Sequence, residues 1–247
     1  MVGMISIITP SFNSGKFIER TILSVRDQGY PEYEHIIVDA GSADQTASIA
    51  KRYKKVRFIV ARNTNQSQAL NIGFGEASGG VVGWINADDV YEPNAFKAAS
   101  DYLAKNPSID LVYSDCRFID EHGGDAGYWR TSDFSYFRNL NYAQMIPQPT
   151  IFFRKTVFER VGYIDESYNY AMDFDFLVRV SKKCAIARLP GPPLASFRLQ
   201  SSSKTVSQRS RFEPEVTRIR AKHGAVLPYW LVKAVQGAVG KVKRRPG

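Results

Sequence analysis

The sequence has few cysteines and no long apolar run. Its 247 residues include 2 cysteines, Cys116 and Cys184, whose separation suits neither a disulfide framework nor a metal-binding motif. No stretch approaches the roughly 20 apolar residues that cross a bilayer, and residues 1–10 lack the basic start of a secretory signal. We therefore expect a cytoplasmic protein.

Several common motifs are also missing. The first predicted strand is not followed by G-x-G-x-x-G, and the sequence has no G-x-x-x-x-G-K-[ST]. This disfavours dinucleotide-binding enzymes and P-loop nucleoside triphosphatases. The 3 histidines show no metal-ligand spacing, and no serine lies in a nucleophile elbow, so serine hydrolysis has no support.

The positive charge of the sequence is concentrated at one end. The formal net charge is +9, but residues 188–247 hold 13 Lys and Arg against 2 Asp and Glu, whereas the rest holds 20 against 22. A basic tail favours anionic surfaces such as lipid or nucleic acid. Residues 230–242 also have the pattern of an amphipathic helix. This pattern predicts that residues 228–245 contact an anionic membrane. The alternative is a solvated helix that packs on the core.

Short apolar strands alternate with helical patterns in the first half of the chain. Strands are predicted at residues 4–9, 33–39, 56–60, 81–86 and 109–114, with helices between them, the second introduced by a capping box of Ser42 and Gln45 and the fourth by Pro93. This order predicts an α/β fold with a mostly parallel sheet. Residues 116–150 look irregular or hairpin-like; further helices are predicted at 155–161, 173–182 and 209–223, and a strand at 194–199.

Polar residues follow three of these strands, at residues 9–13, 38–42 and 85–89. In open parallel sheets, ligands bind at these carboxyl ends of the strands. Asp39 ends the second strand and suits a hydrogen bond to a base or ribose; a turn before Gly41 is the alternative. The fourth strand ends in N-A-D-D, and the oxygens of Asp88 suit Mg²⁺ or Mn²⁺, although an Asp-Asp pair is also common in solvated turns. Asp173 lies at the start of a predicted helix. There its carboxylate suits the role of a general base, and the alternative is that it only stabilises the positive end of the helix dipole.

In their order along the chain, these segments resemble the inverting family-2 glycosyltransferases. The resemblance rests on "SIITPSFNSGKFIERTILSVRDQ", "EHIIVDAGSADQT", "NQSQALNIGFGEASGGVVGWINADDVYEPNAF", "QPTIFFRKTVFERVGYIDESYNYAMDFDFLVRV" and "FRLQSSSKT". It implies a Rossmann-like GT-A fold over residues 1–205, with a nucleotide-sugar-binding half (1–115) and an acceptor half (116–205). Residues 206–247 would form a basic, helical C-terminal extension.

The resemblance also implies the roles of individual residues. Asp88 would ligate Mn²⁺ or Mg²⁺, Asp173 would deprotonate the acceptor hydroxyl, and Asp39 would hold the base. The family's diphosphate-closing loop would correspond to residues 197–205. The remaining implied donor-site residues are Pro10, Phe12 and Asn13 in the nucleotide pocket, Asn71 and Gly73 near the sugar diphosphate, and Asn86 beside Asp88.

Two positions depart from the family pattern. Asn86 stands where the first acid of the D-x-D motif is usual, so the site carries less negative charge. Met172 stands where a Glu often precedes the base, which leaves Asp173 as the predicted base and Asp175 as its substitute.

The implied reaction is transfer of a sugar, with inversion, from a nucleotide diphosphate donor to an acceptor hydroxyl. UDP is the expected carrier, with GDP and dTDP as alternatives, and the expected acceptor is a saccharide or lipid-linked intermediate of surface polysaccharide or glycolipid synthesis at the inner face of the membrane. The rival hypotheses are a polyprenyl-phosphate sugar transferase and a catalytically silent nucleotide-sugar-binding protein. Nucleic acid is not an expected partner, because the aromatic residues show no RNA-binding pattern.

Overall fold

The computed structural model describes residues 3–142, 144–200, 209–228 and 232. Its strands are β1 Ile5–Ser11, β2 Tyr33–Asp39, β3 Val56–Val60, β4 Val81–Trp84, β5 Val90–Tyr91, β6 Leu111–Tyr113, β7 Cys116–Ile119, β8 Asp125–Trp129, β9 Phe152–Arg154, β10 Ile186–Arg188 and β11 Ala195–Arg198. Its helices are α1 Ile18–Arg26, α2 Thr46–Ala50, α3 Gln66–Glu76, α4 Ala95–Lys105, α5 Tyr136–Asn141, α6 Val157–Val161, α7 Met172–Lys183 and α8 Arg209–Lys222.

In the described part of the chain, seven strands form the central sheet in the order β10-β6-β9-β4-β1-β2-β3. All neighbours in it are parallel except β9, which runs antiparallel to both β4 and β6. A smaller sheet has the order β5-β11-β7-β8, and β7 and β8 form an antiparallel hairpin within residues 116–150. The predicted α/β fold with a mostly parallel sheet is confirmed.

Helices cover both faces of the central sheet because successive strand residues point to opposite faces. On β1, Ile5 and Ile7 pack with α1 and α4, where Phe96 is fully buried. Ile8 points the other way and packs with α3 and α7, where Phe74 is fully buried. Burial of each such side chain contributes roughly 1.5–3 kcal/mol, so both helical layers hold the strand ends in place.

Two predicted helix starts are wrong in detail. α2 begins at Thr46, and Ser42 does not cap it, because the Ser42 hydroxyl accepts from the Asn13 amide and donates to Asp39. A capping box is present on α3, between Asn65 and Gln68. α4 begins at Ala95, two residues after Pro93, because Asn94 at its N-cap adopts a left-handed conformation (φ 65°).

Several predicted features lie outside the described residues. These are residues 201–205 of the predicted diphosphate loop, the domain boundary after residue 205, the helix at 230–242 and, apart from Pro228 and Val232, the membrane segment 228–245. Among the described residues, no helix has the length and apolar character needed to cross a bilayer.

Candidate active site

A cavity of about 1510 Å³ lies at the carboxyl ends of β1, β2 and β4. The loops that follow these three strands all contribute to its wall, as expected for a parallel sheet. The smaller sheet, the start of α7 and one side of α8 also contribute to the wall. The predicted site residues that line the cavity are Pro10, Phe12, Asn13, Asn86, Asp88 and Asp173.

The loops after β1 and β2 are bonded to each other at the cavity edge. Asn13 has φ 47°, and its amide N–H donates to Ser42 Oγ at 2.7 Å. Asn13 Oδ1 accepts from the Ala43 amide at 3.0 Å. These contacts fix the loop that presents Phe12, whose ring is 62% exposed. Such an exposed ring is available to stack on a ligand.

Asp39 is buried at the end of β2 and bonds within its own turn. One carboxylate oxygen accepts from the amides of Gly41 (3.0 Å) and Ser42 (2.7 Å), and the other from the Ser42 hydroxyl (2.5 Å). The cavity wall next to it is formed by Ala40 rather than by Asp39 itself. A hydrogen bond that Asp39 accepts from a base stays a prediction.

Asn71 and Gly73 are not among the residues that line the cavity. Asn71 Nδ2 donates to the Ile164 carbonyl at 3.0 Å and to Glu166 Oε1 at 2.8 Å, and Asn71 Oδ1 accepts from the Ile164 amide at 3.0 Å. A Cβ on Gly73 would lie 2.5 Å from Ile8 Cγ2, so this glycine allows α3 to approach β1. Both residues therefore hold α3 in position, and their place near the sugar diphosphate stays a prediction.

The adjacent acids Asp88 and Asp89 have different surroundings. Asp89 is 1% exposed, and its carboxylate accepts from the Arg198 amide at 2.8 Å and from Asn86 Nδ2 at 3.2 Å. Asp88 lines the cavity, and its Oδ2 accepts from Gln200 Nε2 at 2.5 Å. Burial raises the pKa of both carboxyls, and the neighbouring Asp88 charge raises the pKa of Asp89 further. Asp88 is thus the acid of this pair that faces the cavity.

Asn86 lies in a network of side-chain amides. Its Oδ1 accepts from Gln66 Nε2 at 3.0 Å, and its Nδ2 donates to Gln148 Oε1 at 3.2 Å as well as to Asp89. Gln148 also donates to the Trp84 carbonyl at 2.7 Å, so the network joins α3, β4 and the turn before β9. Asn86 lines the cavity, and its predicted contact with the donor stays a prediction.

Asp173 lies in the first turn of α7 and lines the same cavity. Its Oδ2 accepts from Gln144 Nε2 at 3.0 Å, and its Oδ1 accepts from the Phe174 amide at 2.9 Å. Burial raises the pKa of this carboxyl above its ordinary value. A carboxylate whose pKa is raised is a stronger base once deprotonated, which suits proton abstraction.

Asp175, the predicted substitute for Asp173, does not line the cavity. Its side chain is fully buried, with Oδ2 accepting from Arg179 Nε at 2.7 Å and Oδ1 at 3.4 Å from His223 Nε2. Two residues along a helix differ by about 200° in direction, so Asp173 and Asp175 point to opposite sides of α7.

Sequence reasoning missed the residues that hold the predicted acids. Gln144 contacts Asp173, Gln200 contacts Asp88, and Arg198 donates from its side chain to the Asp88 carbonyl at 2.7 Å. The side chain of Arg198 is 1% exposed, in the segment "FRLQ". The resemblance of residues 197–205 to the family's diphosphate-closing loop was the available signal that this segment contributes to the site.

The described residues offer an incomplete set of metal ligands. They contain no group of three or more His, Cys, Asp or Glu side chains arranged to hold a metal ion. Mg²⁺ and Mn²⁺, however, commonly bind through one or two carboxylates together with substrate phosphates. Asp88 fits that mode, because it lines the cavity and Gln200 is the one side chain that hydrogen-bonds its carboxylate within the described part of the chain.

Comparison with known proteins gives three kinds of match. Residues 6–162 match the model of "Glycosyl transferase family 2". An uncharacterized glycosyltransferase of Rickettsia prowazekii is 31% identical over 182 residues, which cover 70% of this chain and 57% of the relative. The chain therefore spans little more than half the length of that relative.

Two solved structures share the fold at low sequence identity. S. aureus TarS in complex with UDP-GlcNAc aligns with a TM-score of 0.73 at 20% identity, over 93% of this chain and 69% of TarS. The mannosyltransferase PcManGT from Pyrobaculum calidifontis, in complex with GDP-Man and Mn²⁺, aligns with a TM-score of 0.64 at 18% identity, over 88% of this chain and 63% of that one.

Proposed function

The chain belongs to glycosyl transferase family 2, and we propose that it transfers a sugar from a nucleotide diphosphate donor to an acceptor hydroxyl, with inversion at the anomeric carbon. The observation that carries this proposal is the presence of Asp88 and Asp173 in the wall of one cavity at the carboxyl ends of the parallel strands. Neither acid is used to build an ion pair within the described residues, which leaves both for a ligand.

In the proposed reaction Asp173 acts as the general base. Its carboxylate takes the proton of the acceptor hydroxyl, and the acceptor oxygen forms a bond to the anomeric carbon. The bond between that carbon and the diphosphate breaks, and the nucleoside diphosphate leaves with the electron pair. Gln144 and the start of α7 hold the carboxylate at the cavity wall.

We assign Asp88 as the protein ligand of Mn²⁺ or Mg²⁺, completed by the oxygens of the donor diphosphate. When bound, such an ion offsets the negative charge that develops on the leaving diphosphate. Gln200, which donates to the Asp88 carboxylate, and the Arg198 side chain, which donates to the Asp88 carbonyl, orient Asp88 for this role. The complex of PcManGT with GDP-Man and Mn²⁺ supports the choice of ion.

The remaining features of the activity rest on the sequence. They are the pocket roles of Pro10, Phe12 and Asn13, the base contact of Asp39, an acceptor from surface polysaccharide or glycolipid synthesis, and a cytoplasmic location with contact at the inner face of the membrane. The complex of TarS with UDP-GlcNAc supports UDP as the first nucleotide to test. The complex of PcManGT with GDP-Man supports GDP as the second.

The test is a thermal-shift panel with UDP, GDP, dTDP, CDP and AMP, each with Mn²⁺ or with EDTA. At a hundredfold excess over the dissociation constant, specific binding stabilises the fold by about 2.7 kcal/mol, which in a chain of this size raises Tm by roughly 5–11 °C. We expect this shift with one nucleoside diphosphate in Mn²⁺ and its loss in Asp88→Asn.

Asp101→Asn is the matched control, since Asp101 lies on the exposed surface of α4 in an ion pair with Lys97. It should keep the shift of the wild-type protein. No shift with any nucleotide would refute the donor site. A shift of equal size with EDTA, or one that survives in Asp88→Asn, would refute the metal assignment alone.

A further inference from the structure

The carboxylate of Glu215, on α8, accepts three backbone hydrogen bonds from the segment that leads into α7. Its Oε1 accepts from the amide of Asn169 at 2.9 Å, and its Oε2 accepts from the amides of Tyr170 and Ala171, both at 2.8 Å. Ala171 is the N-cap residue of α7 and has no side-chain oxygen that could cap the helix. A side chain from another helix therefore satisfies the amides that precede α7.

Other contacts keep α8 against the same segment. Arg218 donates to the Ser167 carbonyl at 3.0 Å, and Lys222 forms an ion pair with Asp165 at 3.2 Å. Ile219, between them, is fully buried in the main core cluster. Glu215 is thus held by its own helix, and its position relative to residues 165–171 is defined by several contacts.

The segment that Glu215 holds ends two residues before Asp173. Because Asp173 lies in the first turn of α7, a change in the path of residues 169–171 changes the direction in which its carboxylate points. Reacting groups must be placed within about 0.5 Å of their productive position, and a misplacement of about 1 Å can cost roughly a hundredfold in rate.

We infer that Glu215 is a positioning residue for Asp173: by binding the amides of residues 169–171, it fixes the start of α7 and with it the carboxylate at the cavity wall. The inference rests on the proposed role of Asp173 as base. It assigns a function in catalysis to α8, which lies beyond residues 6–162 that match the family model.

Glu215 also acts on Asp173 through its charge. Burial is the main reason why the pKa of Asp173 is raised, and the negative charge of Glu215 raises it further. Removal of that charge should therefore lower the pKa of Asp173. The rate of a reaction that needs the deprotonated base should then reach its plateau at a lower pH.

The experiment compares the full-length wild-type chain with Glu215→Gln and with the control Glu159→Gln, which makes the same change on the exposed side of α6. The assay is nucleoside diphosphate release from UDP-N-acetylglucosamine, UDP-glucose or GDP-mannose in Mn²⁺, with water as acceptor, across the pH range. We expect Glu215→Gln to lower kcat about 10- to 100-fold with KM for the donor little changed, and to shift the acidic limb of the profile to lower pH. Glu159→Gln should behave as wild type.

Two further measurements separate this inference from the proposed function. In an Asp173→Asn background, Glu215→Gln should cause no further loss, because it acts through the missing base. Amide hydrogen exchange over residues 167–175 should be faster in Glu215→Gln, and this measurement needs no turnover.

Three results would overturn the inference. A kcat of Glu215→Gln equal to that of Glu159→Gln, beside an inactive Asp173→Asn, would refute the role of Glu215 alone. Unchanged exchange over residues 167–175 would show that Glu215 does not hold the segment. Full activity of Asp173→Asn would refute the proposed base and with it the purpose assigned to Glu215.

Discussion

Acidification should destabilise this protein through His35, a histidine of β2 that is 1% exposed. Its Nε2 lies 2.9 Å from the Thr9 hydroxyl, and its Nδ1 has no hydrogen-bond partner among the described residues. Burial lowers the pKa of this ring from 6.5 to about 3. Below pH 6.5 the unfolded chain therefore binds a proton that the folded chain does not.

The size of the effect follows from the two pKa values. Above pH 6.5 His35 is neutral in both the folded and the unfolded chain and does not reduce the free energy of unfolding. Between pH 6.5 and about 3 the free energy of unfolding falls by about 1.4 kcal/mol per pH unit, because only the unfolded chain binds the proton. At about pH 4.5, two units below the unfolded value, the loss is about 2.7 kcal/mol. In a chain of this size it corresponds to a decrease in Tm of roughly 5–11 °C.

The assay is urea unfolding from about pH 7 to about pH 4.5, on wild type, His35→Gln and the control His122→Gln. Carboxyl groups titrate in all three proteins and cancel in the comparison. The free energy of unfolding of wild type should fall by about 2.7 kcal/mol more than that of His35→Gln over this range. His122 is exposed, so His122→Gln should follow wild type.

Parallel curves for wild type and His35→Gln would refute this reasoning, because the pH dependence would then come from other groups. The outcome also matters for enzymology. Loss of folded protein below about pH 6 would resemble titration of the base, so the acidic limb of a rate profile needs the His35→Gln background as a control.

Two further predictions concern the base and the helix that supports the cavity. Asp173→Asn should lower kcat about 10²- to 10⁴-fold, the usual contribution of a general base, with donor binding retained; a mild effect would favour a phosphate acceptor, which needs no base. In α3, Gly73→Ala should cost about 1–3 kcal/mol in urea unfolding because the added Cβ would lie 2.5 Å from Ile8 Cγ2. Gly75→Ala, with nothing within 4 Å of its added Cβ, should instead stabilise by about 0.5–1 kcal/mol, and equal effects at the two positions would contradict the packing assigned to Gly73.

Five strands of the central sheet, β1, β2, β3, β4 and β6, were predictable because their signals are local, whereas the short strands β9 and β10 were not predicted. β2 and β3 have the predicted boundaries, since apolar runs of strand length were bounded by polar and turn residues. The smaller sheet was not predicted as a unit. It pairs β11 with β7 and β5, which lie far apart along the chain, and pairing over such distances leaves no local pattern.

Site residues that directly follow a strand could be predicted. Site residues that only tertiary contacts bring to the cavity could not. Asp88 follows β4, so its place at the sheet edge follows from the topology. Gln200, which bonds Asp88, is 112 positions further along the chain, and no pattern in the sequence joins the two. Helical periodicity could have placed Asn71 outside the cavity wall. On α3 it lies on the side of the helix away from Gln66 and Ala69, which line the cavity.

The unequal surroundings of Asp88 and Asp89 explain why β4 ends in two acids. Asp89 binds the backbone amide of Arg198 and thereby joins β11 to the end of β4, which is a structural role. Asp88 accepts a hydrogen bond from the Gln200 side chain and lines the cavity, in a place where burial raises its pKa. A carboxyl with a raised pKa lowers the stability of the fold as pH rises above the unfolded value, because the folded chain must then hold a charge that water would solvate better. The pKa of Asp89 is raised as well, but its carboxylate accepts from the Arg198 amide and from Asn86, whereas Asp88 lines the cavity. A cation with its diphosphate in that cavity would offset the charge of Asp88, and this is the physical reason to propose Asp88, rather than Asp89, for the ligand.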